Sequence, residues 1–486
     1  MDLKKMMAEV PGIEAFYGDD AVEITGLSYD SRKARKGFLH FCLPGQRADG
    51  HDFAAQAAQS GAAALVVERK LPVELPQVLV KDARKAMSYF AQSFYGHPAK
   101  DMICVGITGT KGKTTSSYLI ASIAKEAGHK VGLVGTVVTR IGEEEEEASL
   151  TTPESIELQG LLAKMRDAGC SFFVMEVSAH ALAQERLAGM VFDAGLFTNL
   201  SQDHLDYFHT MENYKLAKKR FFGAEYIKRA IVNLDDDAGA EMTDGRIPVA
   251  GFAVAKRARA QACAEDIEIQ ENGVSYTLRY RSLAAEIRMR FSGIFNVYNS
   301  LGAAVTCLEL GMPMSAVRRG IEAVAVVPGR IEPLQTNTPY RVILDYAHSP
   351  AALENILNTI RQFTQGRLIC VFGCGGGRDK EKRPLMGGIS GRLADYSILT
   401  SDNPRYEDPA EILDSIEEGI APTGGPYKVI ENRREAISEA LKMGKKGDII
   451  VLAGKGHETY QEVAGVKRPF DEKQVVAELL SEMGLD

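Results

Sequence analysis

Residues 105 to 120 read VGITGTKGKTTSSYLI, and Gly109, Thr110, Lys111, Gly112, Lys113, Thr114 and Thr115 within them have the types that hold polyphosphates. A strand-like run ends near Thr108 and a helical pattern starts near Thr114, so backbone N–H groups and the helix dipole face one point between them. Lys113 reaches terminal phosphates from there, and the Thr114 hydroxyl is placed to bind magnesium. The spacing is not that of the usual P-loop: Ile107 stands where the distal glycine belongs, and the nearest preceding glycines are Gly109 and Gly106. A glycine-rich turn without a ligand is the plain alternative, and the place between strand and helix weighs against it.

Further chemistry stands at the ends of later strand-like runs, where an open α/β sheet gathers its ligands. In order these ends read MEVSAHAL, TNLSQDHLD, DYAHSP, GCGGGRDKEKRP, SDNPR and AGKGHE. Nearly every one carries an acid, a histidine, an arginine or glycines. Glu176 and His204 project beside the loop and, with Thr114, would complete magnesium coordination. For either residue alone a structural role is as good a reading.

The elements that must position these groups follow from pattern. A chain of 486 residues exceeds one ordinary core. From ICVGIT onward short β-branched runs alternate with amphipathic helices, which predicts a parallel sheet with helices on both faces. A helix is expected from Thr114 to about Ala127 and another from Val297 to Leu310. Alternating segments such as GVSYTLRYR predict an antiparallel excursion between about Ala250 and Phe291. The run Glu143 to Glu147 is expected as a solvated loop or hairpin tip. Boundaries near YGHPAK and VPGRIEPL give three domains, 1–97, 98–328 and 329–486.

Composition narrows the classes. Apolar residues make up 45% and charged residues 25%, as in a soluble globular chain. A net charge of -8 gives no general attraction for a nucleic-acid backbone. No continuous apolar run follows the N-terminal lysines, so neither a signal peptide nor a membrane span is readable and the cytoplasm is the expected compartment. The seven scattered cysteines have neither zinc nor disulfide spacing and are expected as buried thiols.

Taken together, GTKGKTT, TTP, MEVSAHAL, NLSQDHLDY, NVYN, PGRIE, DYAHSP, FGCGGGRDKEKRPLM, DNPR and GKGHE closely resemble, in the same order, the motifs of the Mur ligases, and more narrowly of those that build the tripeptide of peptidoglycan. The resemblance runs from about residue 25 to about 460. The family's loop is glycine, two residues, then Gly-Lys-Thr-Thr, which Gly109 to Thr115 satisfies. The resemblance implies an α/β chain of three domains: one for a uridine nucleotide, a central P-loop-type parallel-sheet ATPase, and a C-terminal Rossmann-like domain for the incoming amino acid. It implies phosphorylation of the D-glutamate γ-carboxylate of UDP-MurNAc-L-Ala-D-Glu by ATP with magnesium, then attack by an amine. A monomer with small-molecule substrates is expected.

The same resemblance assigns residues. Lys113, Glu176, His204 and Lys218 take the catalytic and metal positions, Lys218 as a carbamate formed with carbon dioxide; without the resemblance nothing separates Lys218 from Lys215 or Lys219. Asn299, Arg330 and Asp345 join the loop around ATP, with His348 nearby. Ser31, Gln46 and Arg47 match the uridine motifs, and Thr151, Thr152, Ser178, Gln184 and Arg186 match residues that hold the muramoyl dipeptide. Arg378, Asp402, Asn403, Arg405, Gly454 and Glu458 match a pocket for meso-diaminopimelate, whose distal carboxylate suits a bidentate arginine. Lys111, where asparagine is common, and Gly377, where an acid or amide is common, depart from the pattern. L-Lysine as the added amino acid, a non-catalytic nucleotide-binding scaffold, a folylpolyglutamate synthase and a dinucleotide oxidoreductase are the competing readings.

Overall fold

Buried β-branched runs dictate the architecture, because strands apolar on both faces must be covered on both. The computed structural model describes residues 1–45, 48–148, 150–270 and 273–485, so Gln46 and Arg47 lie outside the described residues. Among the described residues the strands form sheets of five, eleven and six strands and one separate two-stranded hairpin, Tyr460–Val463 with Val466–Pro469.

In the central sheet, Ile103–Thr108 lies between Phe172–Glu176 and Ala194–Phe197, parallel to both. Ala230–Asn233 and Val249–Ala253 extend the parallel part. One face packs Ile107, Leu196 and Phe252 under Leu119 and Ile123 of helix Lys113–Glu126 and Leu301 of helix Ile294–Glu309. The other face buries Phe173, Met175 and Phe197 with Phe221 and Leu162. The antiparallel excursion starts later than expected: Val249–Ala253 is still parallel, and Ala262–Gln270, Gly273–Tyr280 and Leu283–Met289 form the meander.

The glutamate run meets its expectation in part: Glu143 lies in the exposed turn of a hairpin, but the rest is strand. Glu144–Glu147 is the edge strand of the eleven-stranded sheet, paired antiparallel with Val138–Ile141, and all four side chains are exposed. Arg140 pairs with Glu145 across it. Six cysteines are buried, whereas Cys263 is half-buried.

The C-terminal sheet runs Arg341–Asp345, Ile449–Ala453, Leu368–Phe372, Tyr396–Leu399 and Tyr427–Val429, all parallel, with Glu332–Leu334 antiparallel at one edge. Separate cores cover its faces. The N-terminal sheet is held by its own core around Leu39, Val66, Val78 and Phe90. The result is an α/β chain of three domains. The carboxyl ends of Ile103–Thr108, Phe172–Glu176 and Ala194–Phe197 lie opposite those of Arg341–Asp345, Tyr396–Leu399 and Ile449–Ala453, with two cavities between.

Candidate active site

The phosphate loop turns on two glycines that no other residue could replace cheaply. Gly109 has φ +152° and Gly112 φ +86°. A Cβ on the first would sit 1.8 Å from Thr198 Oγ1, and one on the second 2.2 Å from Asn299 Oδ1. The loop is braced from the neighbouring strand end: the Asn199 side chain accepts from Lys111 N at 2.9 Å, and Thr198 Oγ1 donates to Lys111 O at 2.7 Å. Lys113 folds back and donates to Gly109 O at 2.9 Å and Thr110 O at 3.0 Å.

Lys218 donates to the same Gly109 carbonyl, also at 2.9 Å, from a fully buried position over the Tyr214 ring. Two ammonium groups on one oxygen repel each other in a poorly hydrated site. Burial first, and then the Lys113 charge, lowers the Lys218 amine well below its usual range. Burial also draws Lys113 down to about 8.

Glu176 ends its strand with both oxygens directed at Thr136: Oε1 accepts from the Thr136 amide and Oε2 from its hydroxyl, each at 2.9 Å. Thr151 touches that hydroxyl at 3.1 Å, and Thr152 donates to the Glu176 carbonyl at 2.7 Å. His204 has φ +57°, a strained backbone for a residue with a side chain, and its ring meets His180 edge-on at 4.8 Å. Burial pushes its imidazole down to about 3, so the ring is neutral at physiological pH.

Lys111, the departure in the loop, is tied to Asp203 at 3.1 Å. Burial works against the Asp203 charge, but Lys111 beside it holds the carboxyl well below its usual range. Asp203 stands within SQDHLD yet was not singled out from sequence; its nearness to Lys111 arises only when the two strand ends meet. Lys382, which donates to the His348 carbonyl at 2.8 Å and lines the same space, was likewise missed.

Two cavities meet at this loop. One of about 370 Å³ is lined by Thr115, Asn233, Phe252, Tyr298, Asn299 and Asp345. The other, about 430 Å³, reaches from Lys113, Glu176 and His204 to Arg186 at one end and Arg378, Asp402, Asn403, Arg405, Gly454 and Glu458 at the other. Lys111, Gly112, Thr114 and Arg330 line both. Arg330 donates to Thr114 Oγ1 at 3.3 Å, stacks over Tyr346, and keeps a buried Nε without a partner among the described residues. Asp345 accepts from Ile331 N at 2.8 Å, and burial raises its carboxyl. Asn299 donates to Asn296 and packs against Gly112 of the loop.

At one end of the second cavity, Arg186 donates to Thr152 O at 2.6 Å and to Gln184 at 2.7 Å, and pairs with Glu154. Ser178 caps its short helix through Ala181 N. Ser31 lines neither cavity; its hydroxyl donates to Gln56 at 2.8 Å.

At the opposite end Arg405 is not free in solvent. Its Nη1 donates to Gly376 O at 2.6 Å, its Nε lies 3.4 Å from Glu462, and its φ is +54°. Asn403 donates to Glu458 at 2.8 Å and accepts from the buried Lys455 at 3.2 Å. Gly377, at φ +61°, donates its N–H to Glu407 at 2.5 Å, so glycine at this departure suits a left-handed turn.

The residues fit a magnesium ion in kind, since a hydroxyl, a carboxylate and phosphate oxygens are hard donors. Among the described residues no cluster of three His, Cys, Asp or Glu forms a ready-made metal site.

Comparison with known proteins agrees with this geometry. Family models match along the chain: Mur ligase family, catalytic domain, over residues 23–95; Mur ligase middle domain over 107–307; and Mur ligase, glutamate ligase domain, over 329–456. The UDP-N-acetylmuramoyl-L-alanyl-D-glutamate--2,6-diaminopimelate ligase 1 of Clostridium acetobutylicum is 44% identical over 489 residues, spanning 99% of this chain and 100% of that one. A solved structure of a ligase of that description superposes with a TM-score of 0.70 at 30% identity, covering 100% of this chain and 99% of the other. The MurF ligase of Thermotoga maritima in complex with ADP shares the fold, with a TM-score of 0.63 at 18% identity, covering 94% of this chain and 97% of that one. With a phosphate loop, two joined cavities and full-length relatives all in register, the chain belongs to the Mur ligase family.

Proposed function

We infer that this chain is an ATP-dependent amide-forming ligase that adds meso-diaminopimelate to the D-glutamate γ-carboxylate of UDP-MurNAc-L-Ala-D-Glu in peptidoglycan precursor synthesis. The observation that carries the reading is the second cavity, which joins the phosphate loop to an Arg186 end and an Arg405 end. The relative from Clostridium acetobutylicum bears the name of that activity. A cytoplasmic monomer is the expected setting; among the described residues no helix is long and apolar enough to cross a membrane.

A carboxylate is a poor acyl donor because oxide is a poor leaving group. Its oxygen attacks the γ-phosphorus of ATP, the bond to the β-bridging oxygen breaks, and an acyl phosphate and ADP result. The amine of diaminopimelate then attacks the acyl carbon, loses a proton, and phosphate departs as the amide forms. Lys111 and Arg330, where the two cavities meet, and Lys113 in the second offset the negative charge gathered at the transferring group. The hydroxyls of Thr151 and Thr152, with Ser178, Gln184 and Arg186, hold the acceptor dipeptide. Asp402 and Glu458 face an ammonium and Arg405 a carboxylate. Thr114, Glu176 and His204 would hold a magnesium ion, which would supply further charge neutralisation at the transferring group. Lys218, whose amine burial holds well below its usual range, would take up carbon dioxide with loss of a proton to become an anionic carbamate.

The test is phosphate release from ATP with the UDP-dipeptide, offered meso-diaminopimelate, L-lysine or neither. Turnover with diaminopimelate is expected; turnover only with lysine overturns the amino-acid assignment, and none with either favours a scaffold. In the same assay Lys218→Arg, which stays charged and takes up no carbon dioxide, is expected to lose roughly 100-fold of kcat. Retained activity would sink the carbamate.

A further inference from the structure

The amino-acid end of the second cavity is built on two strand ends. Tyr396–Leu399 leads through Ser401 into Asp402, Asn403 and Arg405, and Ile449–Ala453 leads into Gly454 and Glu458. Nothing in the backbone ladder joins these strands directly, because Leu368–Phe372 lies between them. The bonds of Asn403 to Glu458 and Lys455 tie their loops at the pocket side, and keeping Asp402 and Gly454 in register calls for a second tie.

Arg433 supplies that tie from behind the pocket. It is 1% exposed and heads helix Arg433–Met443. Its Nη2 donates to Ala453 O at 2.9 Å, and its Nη1 reaches Ser401 O at 3.5 Å. These are the carbonyls immediately before Gly454 and Asp402. Asp402 Oδ2 and Arg433 Nη2 both approach the point where a Cβ on Gly454 would lie, at 2.7 Å and 4.0 Å.

Arginine is the wrong charge for a helix N-terminus, and a buried guanidinium is costly without an anion. Glu472, also 1% exposed, meets it at 2.8 Å from the first residue of a second helix, Glu472–Glu482, whose N-terminus does favour an acid. The two helices share one apolar core. Asp402, whose carboxylate is needed for an ammonium in the pocket, approaches the same Gly454 position as the guanidinium, so a separate counterion for Arg433 leaves it available.

We propose that Arg433, neutralised by Glu472, is a positioning residue for the incoming amino acid: it clamps the carbonyls ahead of Asp402 and Gly454 and leaves the Asp402 carboxylate free for the distal ammonium. This rests on the amino-acid pocket assigned above. Wild-type turnover with diaminopimelate decides that assignment, and variants decide the clamp.

Removing one partner would bury an unpaired charge, so the informative change is the double variant Arg433→Met with Glu472→Leu, which keeps an apolar core. Its expected signature is a KM for diaminopimelate raised about tenfold or more, with the KM for ATP and for the UDP-dipeptide within about twofold. An unchanged diaminopimelate KM in the folded double variant overturns the proposal, as does an equal rise for all three substrates. Should the double variant not fold, Arg433→Lys keeps the charge but cannot span both carbonyls. It is expected to show the same selective rise, and its absence would count equally against the clamp.

Discussion

Lys113 illustrates how a functional residue taxes its own fold. Burial draws its ammonium down to about 8, while an unfolded lysine titrates near roughly 10.4. Below the folded value both states are protonated and the destabilisation is present in full. Between the two values the unfolded chain binds more protons, so stability rises with pH as the burden is relieved. Lys113→Met is therefore expected to abolish ligase activity yet raise the ligand-free Tm by a few degrees at about pH 7. Melting curves at about pH 7 and about pH 10.5 would check this; a gain equal at both would show that the ammonium is not its source.

Among elements, the phosphate loop has the least room to vary. Gly109→Ala would drive a methyl group into Thr198 Oγ1 and force a left-handed backbone on a residue that avoids it. A loss of about 2 kcal/mol or more in unfolding free energy and of ATP binding is expected, read by denaturant titration and calorimetry; wild-type values in both would refute the steric account. This loop and its helix were legible in the sequence because strand, glycines and helix are contiguous. Helix Ile294–Glu309 was legible too, although it starts before the expected Val297. The glutamate strand was not, since its pairing with Val138–Ile141 runs against the weak strand preference of glutamate. The ties that shape the site were hidden for a related reason. Lys111 with Asp203, and Arg433 with Glu472, are far apart in the chain, and no local spacing announces them. Arg405 was named from its motif, yet its positive φ and its bond to Gly376 appear only once two loops pack together.

At the scale of the whole molecule the reaction site is a seam. Arg330, just after the linker, crosses to Thr114 of the central domain and keeps a buried Nε without a partner among the described residues. Arg330→Ala is expected to weaken ATP binding by about tenfold to 100-fold with a smaller effect on Tm, measured by isothermal titration. Unchanged affinity would make Arg330 an interdomain strut only. The rim of the second cavity draws on both domains as well. The eleven-stranded sheet beneath the site raises a different question, that of where it stops. Its last strand presents Glu144 to Glu147 in a row, so a second molecule approaching that open edge would meet like charges face to face. The acidic run thus acts as a terminator for sheet growth, keeping a long ladder from becoming the template for a fibre.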